Sequence, residues 1–268
     1  MTYDSQPREV SLETLALCNA RCTFCPYPTL ERIGTRMPDE LIHRLIDEMA
    51  GFELPFYFSP FKVNEPFLDS RLIDICQRVN ERVPQAVLRL FSNGSPLTQK
   101  KLADVARLQN VVHLWVSLNS CDPTEYHELM GLDFNQTASR LDGLHGMDFP
   151  HPVMVSKVSG KNDAFFAQYI AMRWPKFRPV IIRRDGWLGF VDPSHPAIPD
   201  KPCGRWWELS IVASGKVSLC CMDGKAEFPI GDVRDASLLE IYNSPLWRGY
   251  RESVTRSSLH PCSTCTYQ

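Results

Sequence analysis

Three cysteines lie within eight residues near the N-terminus, in the segment "LALCNARCTFCPYP". Cys18, Cys22 and Cys25 are separated by three residues and then by two. Two thiolates spaced like Cys22 and Cys25 can bind one zinc ion, which then requires further ligands nearby. The nearest candidates, His43 and Cys76, lie on predicted helices far along the chain. Three thiolates on one loop are typical of a 4Fe–4S cluster with one iron open to another ligand, and a structural zinc knuckle is the alternative.

A second set of cysteines lies in the last quarter of the chain. Four thiolates, a complete shell for a second 4Fe–4S cluster, are available there from Cys203, from Cys220 or Cys221, and from Cys262 and Cys265. A zinc ribbon would use the same ligands. The remaining two cysteines are predicted to be structural: Cys76 has helical spacing with apolar residues, and Cys121 lies at a predicted helix start.

The composition bounds the class of protein. The chain has 268 residues, of which 44% are hydrophobic, and a formal net charge of −2, so it is long enough for one large α/β domain with an appendage. The mixed charges favour neither nucleic acid nor a membrane as a partner. The sequence has no apolar run of membrane-spanning length and no apolar signal core, so we predict a cytoplasmic protein. Ten cysteines there indicate metal or redox chemistry rather than disulfides.

Up to residue 185, short apolar runs alternate with amphipathic stretches. This pattern predicts βα units around a parallel sheet. Six strands are predicted, in the segments "VSLETLAL", "PFYFSPF", "AVLRLFSNG", "VVHLWVSLNS", "PVMVSKVSG" and "RPVIIRR". The predicted fold class is therefore α/β, with a partial (β/α)6 barrel of the TIM type over residues 1–185.

Polar residues follow the predicted strands. Functional groups gather at the carboxyl ends of parallel strands, although each such residue could also be a cap or a turn. The candidates are Asn64, Glu65, Ser92, Asn93, Ser117, Asn119, Lys157 and Ser159. Lys62 either points into the same space or is a solvated lysine. Arg183 and Arg184, after the sixth strand, either bind a hydroxyl or carboxylate of a substrate or form a surface pair.

The composition changes after residue 185. Residues 186–202 are rich in proline and are predicted to be a linker without regular structure. Residues 203–268 form the predicted second domain, with a β-hairpin that turns at Ser214-Gly215 and one or two helices interrupted near Pro245. A domain of this size is small enough to require a metal centre for its stability.

These motifs resemble the radical S-adenosylmethionine (radical SAM) family, and the resemblance covers essentially the whole chain. The loop Cys18-x3-Cys22-x2-Cys25, with the aromatic Phe24 before its last cysteine, matches the cluster loop of that family. The segment "VNEP" stands where the family has Gly-Gly-Glu-Pro, so the Glu-Pro pair is kept and both glycines are replaced. The segments "FSNGSPLT", and "VSLNS" followed by "EYHELMG", resemble those after the family's third and fourth strands.

The resemblance implies a chemistry and a set of cofactor contacts. In that family, S-adenosylmethionine (AdoMet) chelates the open iron, and one electron cleaves it to methionine and a 5′-deoxyadenosyl radical, which abstracts hydrogen from a substrate carbon. Glu65 is implied to accept a hydrogen bond from the AdoMet amino group. The other predicted cofactor contacts are Phe24, Asn64, Ser92, Asn93, Ser117, Asn119 and Lys157. A flavodoxin or ferredoxin is the implied electron donor.

The C-terminal cysteines resemble the auxiliary-cluster extension of the same family, in its short twitch form rather than the longer SPASM form. Their spacing is similar to that of the 2-deoxy-scyllo-inosamine dehydrogenase type, in which the twitch domain holds one cluster. The resemblance implies a ligand five residues after the hairpin glycine Gly215, which favours Cys220. Cys221 is then an idle neighbour, an alternative ligand, or a thiol that returns a hydrogen atom to a substrate radical. In that type an arginine precedes the first twitch cysteine at a distance that favours Arg183 or Arg184 as a substrate contact.

Four functions are compatible with these features. The favoured one is a dehydrogenase for a small polar substrate, such as an aminocyclitol, sugar or amino acid derivative, in which the auxiliary cluster accepts the second electron. The second is an epimerase that uses Cys221 or Cys220 as the hydrogen donor. The third is a maturase of a ribosomal peptide, which the short segment before the first strand disfavours. The fourth is a non-catalytic iron–sulfur or zinc protein, against which the AdoMet-binding segments argue.

Overall fold

The part of the chain that the structure describes, residues 3–267 of a computed structural model, contains a single nine-stranded sheet. Residues 1, 2 and 268, the outer ends of the two predicted domains, lie outside the described residues. The strand order is β6-β5-β4-β3-β2-β1-β7-β8-β9. The bounds are β1 Glu9–Leu12, β2 Phe56–Ser59, β3 Ala86–Ser92, β4 Val111–Ser117, β5 Val153–Val158, β6 Arg178–Ile182, β7 Glu208–Ile211, β8 Lys216–Ser218 and β9 Pro229–Asp232.

Strands β1 to β6 pair in parallel and are joined by helices, as in an open barrel. The helices are α1 Asp39–Met49, α2 Leu72–Arg82, α3 Gln99–Val105, α4 Pro123–Met130, α5 Phe134–Gly146 and α6 Asp163–Arg173. The predicted α/β partial barrel is confirmed, and α4 begins at Pro123, beside the helix start predicted at Cys121. Within the described residues, no helix combines the length and the apolar character needed to cross a membrane.

The first strand ends earlier than predicted, at Leu12 rather than at Cys18. The residues after it leave the sheet and bond to a neighbouring loop. Met37 N–H donates to the Thr14 carbonyl at 2.9 Å, and Ala16 N–H donates to the Thr35 carbonyl at 2.9 Å. The five residues before Cys18 therefore belong to the loop that carries the cysteines.

The alternating pattern of β3 separates the two faces of the sheet. Leu88 and Leu90 are buried in the layer between the sheet and its helices. The side chains between them, Arg89 and Phe91, point to the opposite face. That face lines the interior of the barrel, where Arg89 forms an ion pair with Glu9 of β1 at 2.7 Å.

The C-terminal region extends the barrel sheet instead of forming a separate layer. Strand β7 lies parallel to β1, with Glu208 opposite Glu9 and Ile211 opposite Leu12, and β8 and β9 follow antiparallel. Helices α7 Leu238–Tyr242 and α8 Pro245–Glu252 complete the region. The predicted hairpin, and the predicted helix break near Pro245, are both present. The sequence does not predict the pairing with β1, because a short strand carries no sign of its long-range partner.

The segment 186–202 is not wholly irregular as predicted, because it contains a 3-10 turn at Trp187–Gly189. Trp187 and Leu188 both have positive φ angles, +48° and +54°, which are costly for residues with large side chains. Trp187 packs against the buried cluster of Tyr27, Leu30 and Val63, the same cluster against which Cys18 and Cys25 of the first cysteine loop pack. This contact holds the segment against the loop.

Glu13 connects the cysteine loop to the C-terminal hairpin. Its side chain is fully buried and pairs with Arg32 at 2.6 Å. The same carboxylate accepts the backbone N–H of Ala213, beside the hairpin turn, at 3.1 Å.

We expect Arg32→Met to lower the free energy of unfolding by about 3 to 5 kcal/mol, because it leaves the buried Glu13 carboxylate without its cation. The matched control is Lys100→Met, which removes the exposed pair between Lys100 and Asp104. That change is expected to cost less than about 1 kcal/mol. Urea unfolding followed by circular dichroism measures both, and equal losses in the two variants would contradict the assigned role of Glu13.

Candidate functional site

The first cysteine loop is fixed to the C-terminal end of α4. Arg21 N–H donates to the Met130 carbonyl at 2.8 Å, and Thr23 N–H donates to the Leu129 carbonyl at 3.0 Å. Cys22 Sγ lies 3.4 Å from Met130 Sδ. The helix itself is set by Asp122, whose side chain caps its first turn.

The three thiols of this loop are half-buried and lie close enough to interact electrostatically. Each of Cys18 and Cys22 lies within electrostatic reach of Cys25. Burial, as the main cause, raises the pKa of Cys18 to about 12 and the pKa of Cys25 to about 11. Bound iron deprotonates such thiols and balances their charge. The donor set, three sulfur atoms on one loop, fits a cluster with one open iron.

The Asn64–Glu65 segment lies beside this loop, but its contacts differ from those expected. Glu65 Oε1 accepts from Ser92 Oγ and from a backbone N–H in its own turn, both at 3.1 Å, and Oε2 accepts from Asn93 N–H at 2.5 Å. Burial raises the pKa of Glu65 to about 7. Glu65 thus joins the ends of β2 and β3, and its contact with the AdoMet amino group stays a prediction. Asn64 Nδ2 is a buried donor without a partner among the described residues, which fits a site that receives an acceptor.

Asn93 is held next to the cluster loop by the turn that follows it. Gly94 has φ +85°, and a Cβ there would lie 2.9 Å from Thr137 Cγ2. Only glycine fits this turn without strain. Asn93 Nδ2 donates to Asn19 Oδ1 at 2.8 Å and lies 4.0 Å from Cys18 Sγ.

A pocket with about 1160 Å³ of empty space opens between the cluster loop and the ends of β4 and β5. It is lined by Phe24, Asn119, Lys157 and Arg184, and by residues 189–192 of the segment 186–202. Asn119 Oδ1 accepts from the Val158 N–H at 3.0 Å. The predicted cofactor residues therefore fall into two groups, those lining this pocket and those around Glu65. Ser117 is half-buried at the end of β4 and belongs to neither group.

The C-terminal thiols surround a second, smaller cavity. Four cysteines line it, namely Cys203, Cys220, Cys262 and Cys265. Within the described residues, no group of three or more His, Cys, Asp or Glu side chains is arranged around a single metal ion. The cavity instead offers four sulfur donors around a common space, a donor set that fits a 4Fe–4S cluster.

Cys221 does not line this cavity. Its surroundings are charged and belong to the barrel interior: Arg205, Glu208 and Lys62 are its main electrostatic neighbours. Lys62 is buried, and its Nζ donates to the Cys220 carbonyl at 2.9 Å. Burial lowers the pKa of Lys62. Cys220 and Cys221 thus have different surroundings. Lys62 is buried rather than solvated, so the interpretation of Lys62 as a solvated surface lysine is wrong.

The two predicted substrate arginines also have different positions. Arg183 pairs with Asp185 at 3.1 Å and lies near the Thr266 carbonyl. Arg184 lines the large pocket, and its guanidinium has no partner among the described residues. Of these two arginines, Arg184 is the one that lines a pocket and has no ion pair among the described residues.

Sequence reasoning missed the charged group inside the barrel. Glu9 is buried between Arg89 at 2.7 Å and Arg205 at 4.0 Å. Glu208, opposite Glu9 in the sheet, pairs with Arg205 at 2.8 Å. Burial raises the pKa of Glu9, and the nearby Glu208 adds to the effect. The signal was the polar residue inside the apolar run "AVLRLFS", which marks the interior face of β3.

Two family models match the chain. The Radical SAM superfamily model matches residues 12–163, which is more than half of the chain. The SPASM model, an iron–sulfur cluster-binding domain, matches residues 203–266. The two matches contain the first cysteine loop and the four cavity thiols, respectively.

The chain is also similar to individual proteins. The S-adenosyl-L-methionine-dependent 2-deoxy-scyllo-inosamine dehydrogenase of Niallia circulans is 25% identical over 100 residues, a match that spans 37% of this chain and only 40% of that protein. BtrN, solved in complex with AdoMet and 2-DOIA, superposes with a TM-score of 0.67 at 16% identity, over 97% of this chain and 93% of that one. SuiB of Streptococcus suis, solved with the precursor peptide SuiA, superposes with a TM-score of 0.65 at 14% identity, over 97% of this chain and 70% of that one.

The likeness to these solved structures shows the fold, and the family matches show the class. The resemblance to the radical SAM family is therefore confirmed, as are the predicted cofactors: a 4Fe–4S cluster, AdoMet and an auxiliary cluster. The family model that matches the auxiliary region is that of the SPASM domain, whereas the cysteine spacing predicted the twitch form. The chain belongs to the radical SAM superfamily and is a radical SAM enzyme with a SPASM auxiliary-cluster domain.

Proposed function

We propose that this enzyme removes a hydrogen atom from a carbon of a small polar substrate, hydroxylated or aminated, and oxidises it by two electrons overall. Cys18, Cys22 and Cys25 would hold the first cluster, and Cys203, Cys220, Cys262 and Cys265 the auxiliary one. When bound, the first cluster and AdoMet supply the 5′-deoxyadenosyl radical. A flavodoxin or ferredoxin would supply the electron that this requires.

The observation that carries the proposal is the position of the auxiliary cavity against the charged barrel interior. Lys62 and Arg205 contact both: Lys62 bonds the Cys220 carbonyl, while Arg205 lines the thiol cavity and pairs with Glu208. An electron acceptor beside the barrel interior is what the proposed oxidation of a substrate needs.

The proposed oxidation balances as follows in atoms and electrons. The substrate loses a hydrogen atom, which ends in 5′-deoxyadenosine, then a proton from its hydroxyl or amino group and one electron. The electron goes to the auxiliary cluster. The proton goes to a carboxylate of the interior face, for which we assign Glu9, buried between Arg89 and Arg205.

Other side chains would bind and orient the reactants. Phe24, Asn119 and Lys157 line the large pocket beside the first cluster loop, where they would contact the nucleoside and carboxylate of AdoMet. Arg184 in the same pocket is placed to bind a polar group of the substrate. The segment around Phe190 covers the pocket and would help to exclude water.

The proposal is tested with anaerobically reconstituted enzyme, AdoMet, a reductant and a small-molecule extract of the producing cells, in deuterated water. Mass spectrometry identifies a compound that changes in step with 5′-deoxyadenosine release. A product lighter by two hydrogens is expected. A product of unchanged hydrogen count that gains one deuterium at carbon would contradict the oxidation.

Epimerisation is the second candidate, and the position of Cys221 favours it. The thiol lies outside the four-cysteine cavity and beside Arg205, Glu208 and Lys62 of the barrel interior. In this reaction the substrate radical would take a hydrogen atom from Cys221 on the opposite face, and the thiyl radical left on Cys221 would regain one electron from the flavodoxin or ferredoxin and one proton from solvent. Cys221→Ala would then stop deuterium incorporation and leave iron content unchanged, whereas under the oxidation proposal it leaves the two-hydrogen loss in place.

A further inference from the structure

Lys62 lies buried between the barrel and the auxiliary region. Only 4% of its surface is exposed. Its Nζ donates to Ser210 Oγ of β7 and to the Cys220 carbonyl, both at 2.9 Å. Cys220 is one of the four thiols of the auxiliary cavity, so the ammonium group lies against the backbone of a proposed cluster ligand.

The acidic groups around Lys62 have other partners. Glu13 pairs with Arg32 at 2.6 Å, and the Asp223 carboxylate accepts three backbone N–H groups, at 2.9, 3.1 and 3.4 Å. In the described part of the chain, no carboxylate forms an ion pair with Lys62. Its charge is therefore not cancelled by a direct contact and acts on the thiols beside it.

A buried cation changes the redox chemistry of a neighbouring iron–sulfur cluster. Reduction adds a negative charge to the cluster, and a positive charge nearby in a low-dielectric interior stabilises that reduced state. The cluster with its four thiolates is itself anionic, which favours the charged form of the lysine. We propose that Lys62 raises the reduction potential of the auxiliary cluster and so makes it a better electron acceptor. The use of this shift in substrate oxidation rests on the proposed function, whereas the shift itself does not.

The residues that follow Lys62 contact the first cluster loop. Val63 packs in one apolar group with Cys18 and Cys25. Glu65 N–H donates to the Leu17 carbonyl at 2.8 Å. The four residues from Lys62 to Glu65 thus contact residues of both cysteine sites, and Lys62 makes the contact on the auxiliary side.

The test is an EPR-monitored redox titration of the two-cluster enzyme without substrate. Lys62→Gln removes the charge but keeps an N–H donor for the Cys220 carbonyl, and we expect a lower midpoint potential for the auxiliary cluster. Lys62→Met is also neutral and of similar length, and the same lowering is expected. Lys62→Arg keeps the charge, so its midpoint potential is expected to stay close to that of the unmodified enzyme.

Iron content separates a shifted cluster from a lost one. An unchanged midpoint potential in a neutral variant with full iron content would overturn the proposal, and so would an equal lowering in Lys62→Arg. The failure of this inference is distinguishable from failure of the proposed function. A substrate still oxidised by two electrons, with no shift in either neutral variant, would remove only the role of Lys62.

Discussion

Cys22→Ala is expected to abolish 5′-deoxyadenosine formation and to lower the iron content by about four atoms per chain, the content of one 4Fe–4S cluster. Cys22 lies in the middle of the three-thiol loop, and its Sγ is 3.4 Å from Met130 Sδ at the end of α4. Removing a residue that hydrogen-bonds a metal ligand lowers metal affinity or activity about 10- to 100-fold. Removing the ligand itself should lower them further. Iron analysis and chromatographic measurement of 5′-deoxyadenosine check both parts.

The matched control is Cys76→Ala, which also removes one thiol. Cys76 is fully buried among apolar side chains of α2, far in sequence from the loop. This variant is expected to keep its iron and its AdoMet cleavage. Full iron content in Cys22→Ala, or equal losses in both variants, would contradict the assignment of the loop as the site of the first cluster.

Cys262→Ala is expected to separate AdoMet cleavage from substrate oxidation. The variant should lose about four iron atoms and still release 5′-deoxyadenosine, because the first loop is untouched. The product that lacks two hydrogens should disappear, because its formation needs the auxiliary acceptor. The measurement is the ratio of oxidised product to 5′-deoxyadenosine, which should be close to one in the unmodified enzyme and should fall to background in the variant.

Cys221→Ala is the control for this second change, because Cys221 lies close in the fold but does not line the four-thiol cavity. It is expected to keep the full iron content and the product ratio. If Cys221→Ala lost the auxiliary cluster while Cys220→Ala kept it, the assignment of the adjacent cysteines would be reversed.

Local sequence patterns predicted the barrel and both cysteine sites. The apolar run "AVLRLFSNG" marked a strand, and the three-thiol loop marked a cluster, because each depends on residues close together in the chain. The structure places Cys220 at the four-thiol cavity. It lies five residues after Gly215, just beyond the end of β8, which runs back antiparallel to β7. Whether these residues ligate iron stays a prediction.

Contacts between distant parts of the chain could not be predicted in this way. From the sequence, a solvated lysine was the more ordinary interpretation of Lys62, and the structure buries it instead. The parallel pairing of β7 with β1 brings Ser210 and Cys220 to it. Glu65 was assigned to the cofactor by resemblance, but its oxygens accept bonds from the end of β3, a partner that no local pattern reveals.

A single-turnover experiment tests the central claim, that the auxiliary cluster receives an electron from the substrate. Enzyme carrying one reducing equivalent is mixed with AdoMet and with the substrate identified by mass spectrometry, and is frozen at intervals for EPR. The account predicts that the signal of the reduced auxiliary cluster grows in proportion to 5′-deoxyadenosine. Oxidised product that forms while the auxiliary cluster stays oxidised would contradict it.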